Sequence, residues 1–341
     1  MNKQTTRTSV RMIMAVLFAT LVITRATTQP VESRPQTYYV NAKGSDANDG
    51  HTEETAFRSL GKALEEVSSD TRPTTIVVIG TLDSKSDVLQ TPGNSIFYIN
   101  TEGQALITIR GKPDAVEGEK AVLKSDVNGR RVVDIIGKSN ICFEHIEISG
   151  GRTDLAGGGI ALGDNARLTV GEGAFITDNK SGQNGGGVGV YGSGTFTMED
   201  GAVTNNTAER RGGGIGVGGN GTFTMKGGAV INNTAEGGGG GGVLIVESGT
   251  FTMSEGEITG NKTARLGGGV GVGGSGTFTM KGGAVTNNTA EAGGGVLIGG
   301  SGTFTMEGGD VTNNTAEGIG GGVVVVGGIF TMSEGEITGN K

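Results

Sequence analysis

Gly194-Thr195-Phe196-Thr197-Met198 recurs at 221–225, 249–253, 276–280 and 302–306, and returns as Gly328-Ile329-Phe330-Thr331-Met332. The phenylalanines Phe196, Phe223, Phe251, Phe278, Phe304 and Phe330 stand 27, 28, 27, 26 and 26 residues apart, and Leu168 extends the column one period earlier. A fixed period of this size marks a solenoid. In the first five repeats an aliphatic residue (Val188, Ile215, Val243, Val270, Val296) lies 8 before the Phe. Another (Val203, Val230, Ile258, Val285, Val311, Ile337) lies 7 after it in all six. The remaining gap varies from 11 to 13. Two constant connections and one that tolerates insertions describe a coil of three strands with two tight corners and one looser loop. Within a strand the period is two, so Phe196 and Met198 share one face while Thr195 and Thr197 share the other. Glycine and β-branched residues without a 3.6 period exclude a helical solenoid.

The reading is therefore a parallel β-helix in which like stacks on like. The core columns are the six phenylalanines and Met198, Met225, Met253, Met280, Met306 and Met332. Asn205, Asn232, Asn287 and Asn313 lie two after the inward Val and are expected to face inward as an amide ladder at a corner. Proline is absent after Pro113, as uninterrupted ladders between coils require.

Composition agrees. Of 69 glycines, 51 fall in residues 181–341, without the Gly-X-Y triplet of collagen. Recurring Phe, Met and Val argue against a flexible linker. A net charge of −8 argues against nucleic acid as a partner, and a single cysteine, Cys142, excludes an intramolecular disulfide framework. Lys3, Arg7 and Arg11 precede the apolar run Met12–Ile23, then Thr24-Arg25-Ala26, the pattern of a secretory signal peptide over 1–26 and hence of an exported protein. Residues 27–73 read as a strand, a turn-rich loop and an amphipathic capping helix from about Thr55 to Val67, with Phe57, Leu60, Leu64 and Val67 on one face. Residues 74–156 read as irregular first coils and 157–341 as regular repeats. Asp46, Asn48 and Asp49 invite a Ca²⁺ reading, but their spacing departs from a calcium loop, and turn chemistry accounts for them. No cofactor motif is present.

The opening Tyr39-Val40-Asn41, Gly44-Ser45-Asp46, Asn48-Asp49-Gly50 and Phe57-Arg58-Ser59-Leu60 resembles the start of exported proteins of the pectate-lyase-like superfamily. The repeats, with Gly-Gly-Gly-Val, Phe-Thr-Met and Thr-Asn-Asn, resemble those of polymorphic outer-membrane proteins. The resemblance implies an all-β, single-stranded right-handed parallel β-helix of about 27 residues per coil, exported to the cell surface, outer membrane or medium. It also brings the enzymatic alternative of a polysaccharide lyase or hydrolase, with Arg or His as base.

For chemistry, His51 and His145 are the only histidines. His145 is placed on one strand face with Phe143 and Glu147, opposite Cys142, Glu144, Ile146 and Ile148. Arg130, Arg131, Arg152 and Arg167, with Asp126, Asp134, Asp154 and Asp164, precede the regular coils and form the one place for an unrepeated site. No spacing among them is diagnostic, so no catalytic residue is assigned. Ser-Glu-Gly-Glu-Ile-Thr-Gly-Asn-Lys occurs at 254–262 and 333–341, so the true unit is three coils, duplicated. A surface written twice favours a structural or adhesive role through multivalent contact with a matrix protein or polysaccharide. Two outward surfaces qualify. One is the Thr-x-Thr array from Thr195/Thr197 to Thr303/Thr305, which resembles ice-binding β-helices. The other is the column Gly189, Gly216, Leu244, Gly271, Leu297 and Val324. The last coil carries no polar cap, which raises self-association through its edge as a further expectation.

Overall fold

The computed structural model describes residues 36–341 except 68–71, 88–93, 102, 104 and 117. The signal-peptide segment 1–26 lies outside the described residues.

One turn shows the plan. The chain runs through Val188–Val190, Thr195–Met198, Ala202–Thr204 and Thr207–Ala208 before Ile215–Val217 begins the next turn. Each segment pairs in parallel with its counterpart one turn on, as Phe196 with Phe223 and Val203 with Val230. The turns thereby build three long sheets of 11, 10 and 9 strands, which we call the first, second and third. The gap expected to be only loop adds a fourth, 7-stranded ladder made mostly of two-residue strands. Its brevity explains why length variation collects there.

The core lies between the sheets. Phe196, Phe223, Phe251, Phe278 and Phe304 are buried and stack face on face, with centroids 4.6–4.8 Å apart and planes within 13°. That distance is the pitch of a parallel ladder, so ring stacking and backbone pairing reinforce one another. Met198, Met225, Met253, Met280 and Met306 are fully buried beside them. Phe330 is only partly covered and Met332 is 41% exposed, both in the last described turn.

The asparagine ladder is shifted by one residue from its expected place. Asn205, Asn232, Asn287 and Asn313 are exposed and adopt φ of 53–56°. This left-handed corner turns their side chains outward and hands the inward position to the following residue. The buried column is Asn179, Asn206, Asn233, Asn261, Asn288 and Asn314, continued by Asn340. Each link is the same: Asn206 N and Nδ2 both donate to Asn233 Oδ1, at 2.9 and 3.0 Å, and Nδ2 also donates to Ile176 O. The ladder thus satisfies backbone as well as side-chain groups inside an apolar core.

The glycine triplets lie against this ladder. Gly185 takes φ +71, and a Cβ on Gly187 would come within 2.9 Å of both Asn206 Nδ2 and Gly214 O. Two backbones and the amide column meet there, and no side chain fits.

At the N-terminal end, Gln36–Asn41 pairs with Thr74–Ile79 as the outermost strand of the first sheet. The helix spans Leu60–Val67, shorter than expected, because Ser59 Oγ accepts from Lys62 N and so caps it. Phe57 lies before it as a bridge to Val40. Leu60, Ala63, Leu64 and Val67 are its buried face.

Candidate functional site

The outward positions of the first sheet carry the most regular surface. Pairing places Thr37, Thr75 and Thr108 in one column, then Cys142, then Thr169, Thr197, Thr224, Thr252, Thr279, Thr305 and Thr331. Cys142 is the single exception along the whole sheet. Beside it runs a shorter column, Thr195, Thr222, Thr250, Thr277 and Thr303, in which Thr250 Oγ1 donates to Thr222 Oγ1 at 3.3 Å. The sequence pattern located the five paired turns but missed the extension into Thr37, Thr75 and Thr108. There the turn length varies, and only the alternation in Thr74–Ile79 hinted at it. Parallel pairing sets the hydroxyls about 4.8 Å apart between turns, and alternation sets the two columns about 6.6 Å apart along a strand.

Strand propensity alone does not dictate such uniformity. An outer column of the second sheet holds Thr81, Val122, Glu147, Phe175, Ala202, Ala229, Glu257, Ala284, Asp310 and Glu336. Its neighbour is again threonine-rich, with Thr177, Thr204, Thr259, Thr286, Thr312 and Thr338 interrupted by Ile231. Threonine is therefore confined to particular columns.

The outward column of the third sheet is less open than expected. Leu244 and Leu297 are 4% and 6% exposed, because the glycine turns fold back over them: a Cβ on Gly212 or Gly293 would meet their Cβ atoms at 3.0 and 2.9 Å.

The unrepeated ionisable residues do not converge. Arg131 Nη1 pairs with Asp134 Oδ1 at 2.5 Å against the third sheet. Arg167 lies exposed on the first sheet, Arg152 begins the fourth ladder, and Asp164 Oδ1 accepts from Ser193 N. The Ser84 side chain first, and Ser84 N, which donates to Asp126 Oδ1, next, hold the Asp126 carboxyl below its ordinary value. Among the described residues no three of His, Cys, Asp and Glu gather as metal ligands.

His145 is placed differently from expectation. It has φ 47° and forms a corner between Asn140–Glu144 and Ile146–Ser149, which resets the alternation. Ile146 and Ile148 therefore join Ile141 and Phe143 in the core, while Glu147 faces out. With Lys112, Lys120, Glu147 and the half-exposed Phe175, His145 lines a cleft of about 630 Å³ that Pro113, Ala115 and Gly118 also border. Lys112 is already paired with Glu53 at 2.7 Å.

The cap-loop polar residues are engaged in turn bonds. Asp46 Oδ1 accepts from Arg58 N and Ser59 N, and Asp46 Oδ2 from Ser59 Oγ. Asn48 Nδ2 donates to Ala56 O. Asp49 accepts from Thr55 Oγ1 and His51 N, which lower its pKa, and His51 stacks on Tyr38 at 5.3 Å. Cys142 is buried near Glu144; burial first and that carboxylate next push its thiol up to about 12, so it is no nucleophile at neutral pH.

Neither a comparison with curated proteins nor one with solved structures returns a match. A family profile described as "Right handed beta helix region" matches residues 170–340, half of the chain. The parallel ladders, the Phe and Asn columns and this match agree, and the chain belongs to the right-handed β-helix family.

Proposed function

We propose that the protein is an exported, surface-associated β-helix with a structural or adhesive role, and that its threonine face makes multivalent contact with a repeating partner such as a matrix protein or polysaccharide. The observation that carries this reading is the column with threonine at every turn of the first sheet but the one holding Cys142. A column of identical groups at constant pitch offers one weak contact many times, and avidity multiplies such contacts. The basic and apolar start of the chain and the likeness of its repeats to bacterial surface β-helices support export.

The test is graded. Thr197, Thr224, Thr252, Thr279 and Thr305 are changed to Lys one after another in the full chain, and retention is measured on an array of matrix proteins and polysaccharides. Stepwise loss supports multivalency. Complete loss at the first change means a single site, and no loss removes the threonine face from consideration. Thermal hysteresis in the same series, lost on substitution, would instead identify ice as the repeating surface.

The His145 cleft favours a second reading, the handling of an acidic polysaccharide through Lys120 and Phe175 with His145 as base. It predicts turnover abolished in His145→Ala, and turnover that survives the change eliminates it.

A further inference from the structure

We infer that the third sheet carries a binding groove for an aliphatic carboxylate at one height of the solenoid. The groove arises from a local break in the repeat. Between Glu236 and Val243 the chain runs through six glycines, Gly237–Gly242, where other turns have side chains before the triplet. Arg211 from the turn before leans across the bare Gly238 as one wall, and Arg265 with Leu266 from the turn after forms the other. Leu244, Val246 and Leu297 form the floor, and the groove measures about 280 Å³. Leu244 and Leu297 stay 4% and 6% exposed, so the stripped turn opens the space above the floor rather than the leucines themselves. Leu266, on the rim, is 42% exposed.

The charge of the rim identifies the occupant. Arg210, Arg211 and Arg265 are the only arginines after Arg167 in a chain of net charge −8, and all three are exposed. None has an ion-pair partner among the described residues. Glu209, two residues before Arg211, and Glu236, just before the glycine run, are both held by Lys180, at 3.1 and 3.7 Å. Glu291, one turn beyond Arg265, forms no ion pair with it. The Arg211 stem lies on the bare backbone of Gly238, where a Cβ would come within 3.0 Å of Arg211 Cγ. Two walls one turn apart on either side, about 10 Å between their backbones, suit a single chain between them. A guanidinium left without a carboxylate takes one bidentately, and an aliphatic floor takes an alkyl chain better than a hydrated sugar.

The probe is octanoate, titrated into the full chain and followed by saturation-transfer NMR and calorimetry, with acetate and 1-octanol as partial ligands. Octanoate is expected to bind saturably, and both partial ligands at least about tenfold more weakly. Arg211→Gln and Arg265→Gln should each weaken octanoate about tenfold, as loss of a charge-assisted hydrogen bond does. Gly273→Phe should abolish binding without disturbing the backbone, since a Cβ there meets only Val246 Cγ1 at 3.7 Å. No octanoate binding, equal binding of 1-octanol, or full binding by Gly273→Phe would each overturn the assignment.

Discussion

Asn233→Ala is the sharpest probe of what holds the turns together. In the native chain Asn233 Oδ1 accepts from Asn206 N and Nδ2, while Asn233 Nδ2 donates to Val203 O and Asn261 Oδ1. Truncation removes all four bonds from a fully buried site. Asn261 Oδ1 keeps Asn233 N as a donor. The backbone N–H of Asn206 and one of its amide hydrogens keep nothing. A buried unsatisfied group costs about 1–3 kcal/mol, so two orphaned donors amount to about 2–6 kcal/mol. The control is its neighbour, Asn232→Ala, exposed with φ 53°, where only the left-handed backbone is penalised, by about 1–2 kcal/mol. Urea unfolding followed by circular dichroism gives the two values, and hydrogen exchange at the Asn206 amide locates the damage. If Asn233→Ala costs no more than Asn232→Ala and leaves exchange at Asn206 unchanged, the ladder is not a stabilising element and the reasoning fails.

Three further outcomes are expected. Gly213→Ala should destabilise by about 1–3 kcal/mol, because its Cβ would fall 2.6 Å from Thr234 N, whereas Gly273→Ala should be neutral or gain about 0.4–1 kcal/mol; thermal melts decide. Phe251→Ala, in the middle of the stack, should cost about 3–5 kcal/mol and the partly covered Phe330→Ala distinctly less, as read from urea midpoints. Cys142 has its pKa raised in the folded state, so its contribution is intact below the ordinary 9.0 and is lost as pH climbs from there towards about 12. Melting temperature should therefore fall between pH 9 and pH 11, and fall less in Cys142→Ala.

Most of the architecture was legible because the repeats are their own alignment. Constant distances from Phe to the flanking aliphatic residues gave the strands, and strand alternation gave the core. What failed were the corners. Counting by twos from Val203 points Asn205 inward, but a left-handed residue there shifts the parity, and the same error misplaced Ile146 and Ile148 beyond His145. The chain did contain a correcting signal. Gly260 and Gly339, with φ +64 and +65, and Asp178, with φ 56°, stand at the exposed position, whereas the next residue is asparagine in every regular turn. Interchange of Asn with Gly and Asp marks a left-handed site, and an unvarying Asn marks the ladder. The groove was not legible, because it depends on which side chains are missing from one turn and on what the neighbouring turns then expose. The threonine column in the early turns was hidden for a related reason: irregular spacing conceals register until strands are paired.

The constant pitch of the threonine column has one more consequence. A rigid comb reads a partner as a vernier does. If the partner's repeat differs from about 4.8 Å by about 0.5 Å, the two fall half a tooth out of phase after about five turns. Short stretches would tolerate that mismatch and long ones would not. Each added turn therefore sharpens discrimination between lattices of nearly equal spacing, even when the chemistry of every tooth is the same.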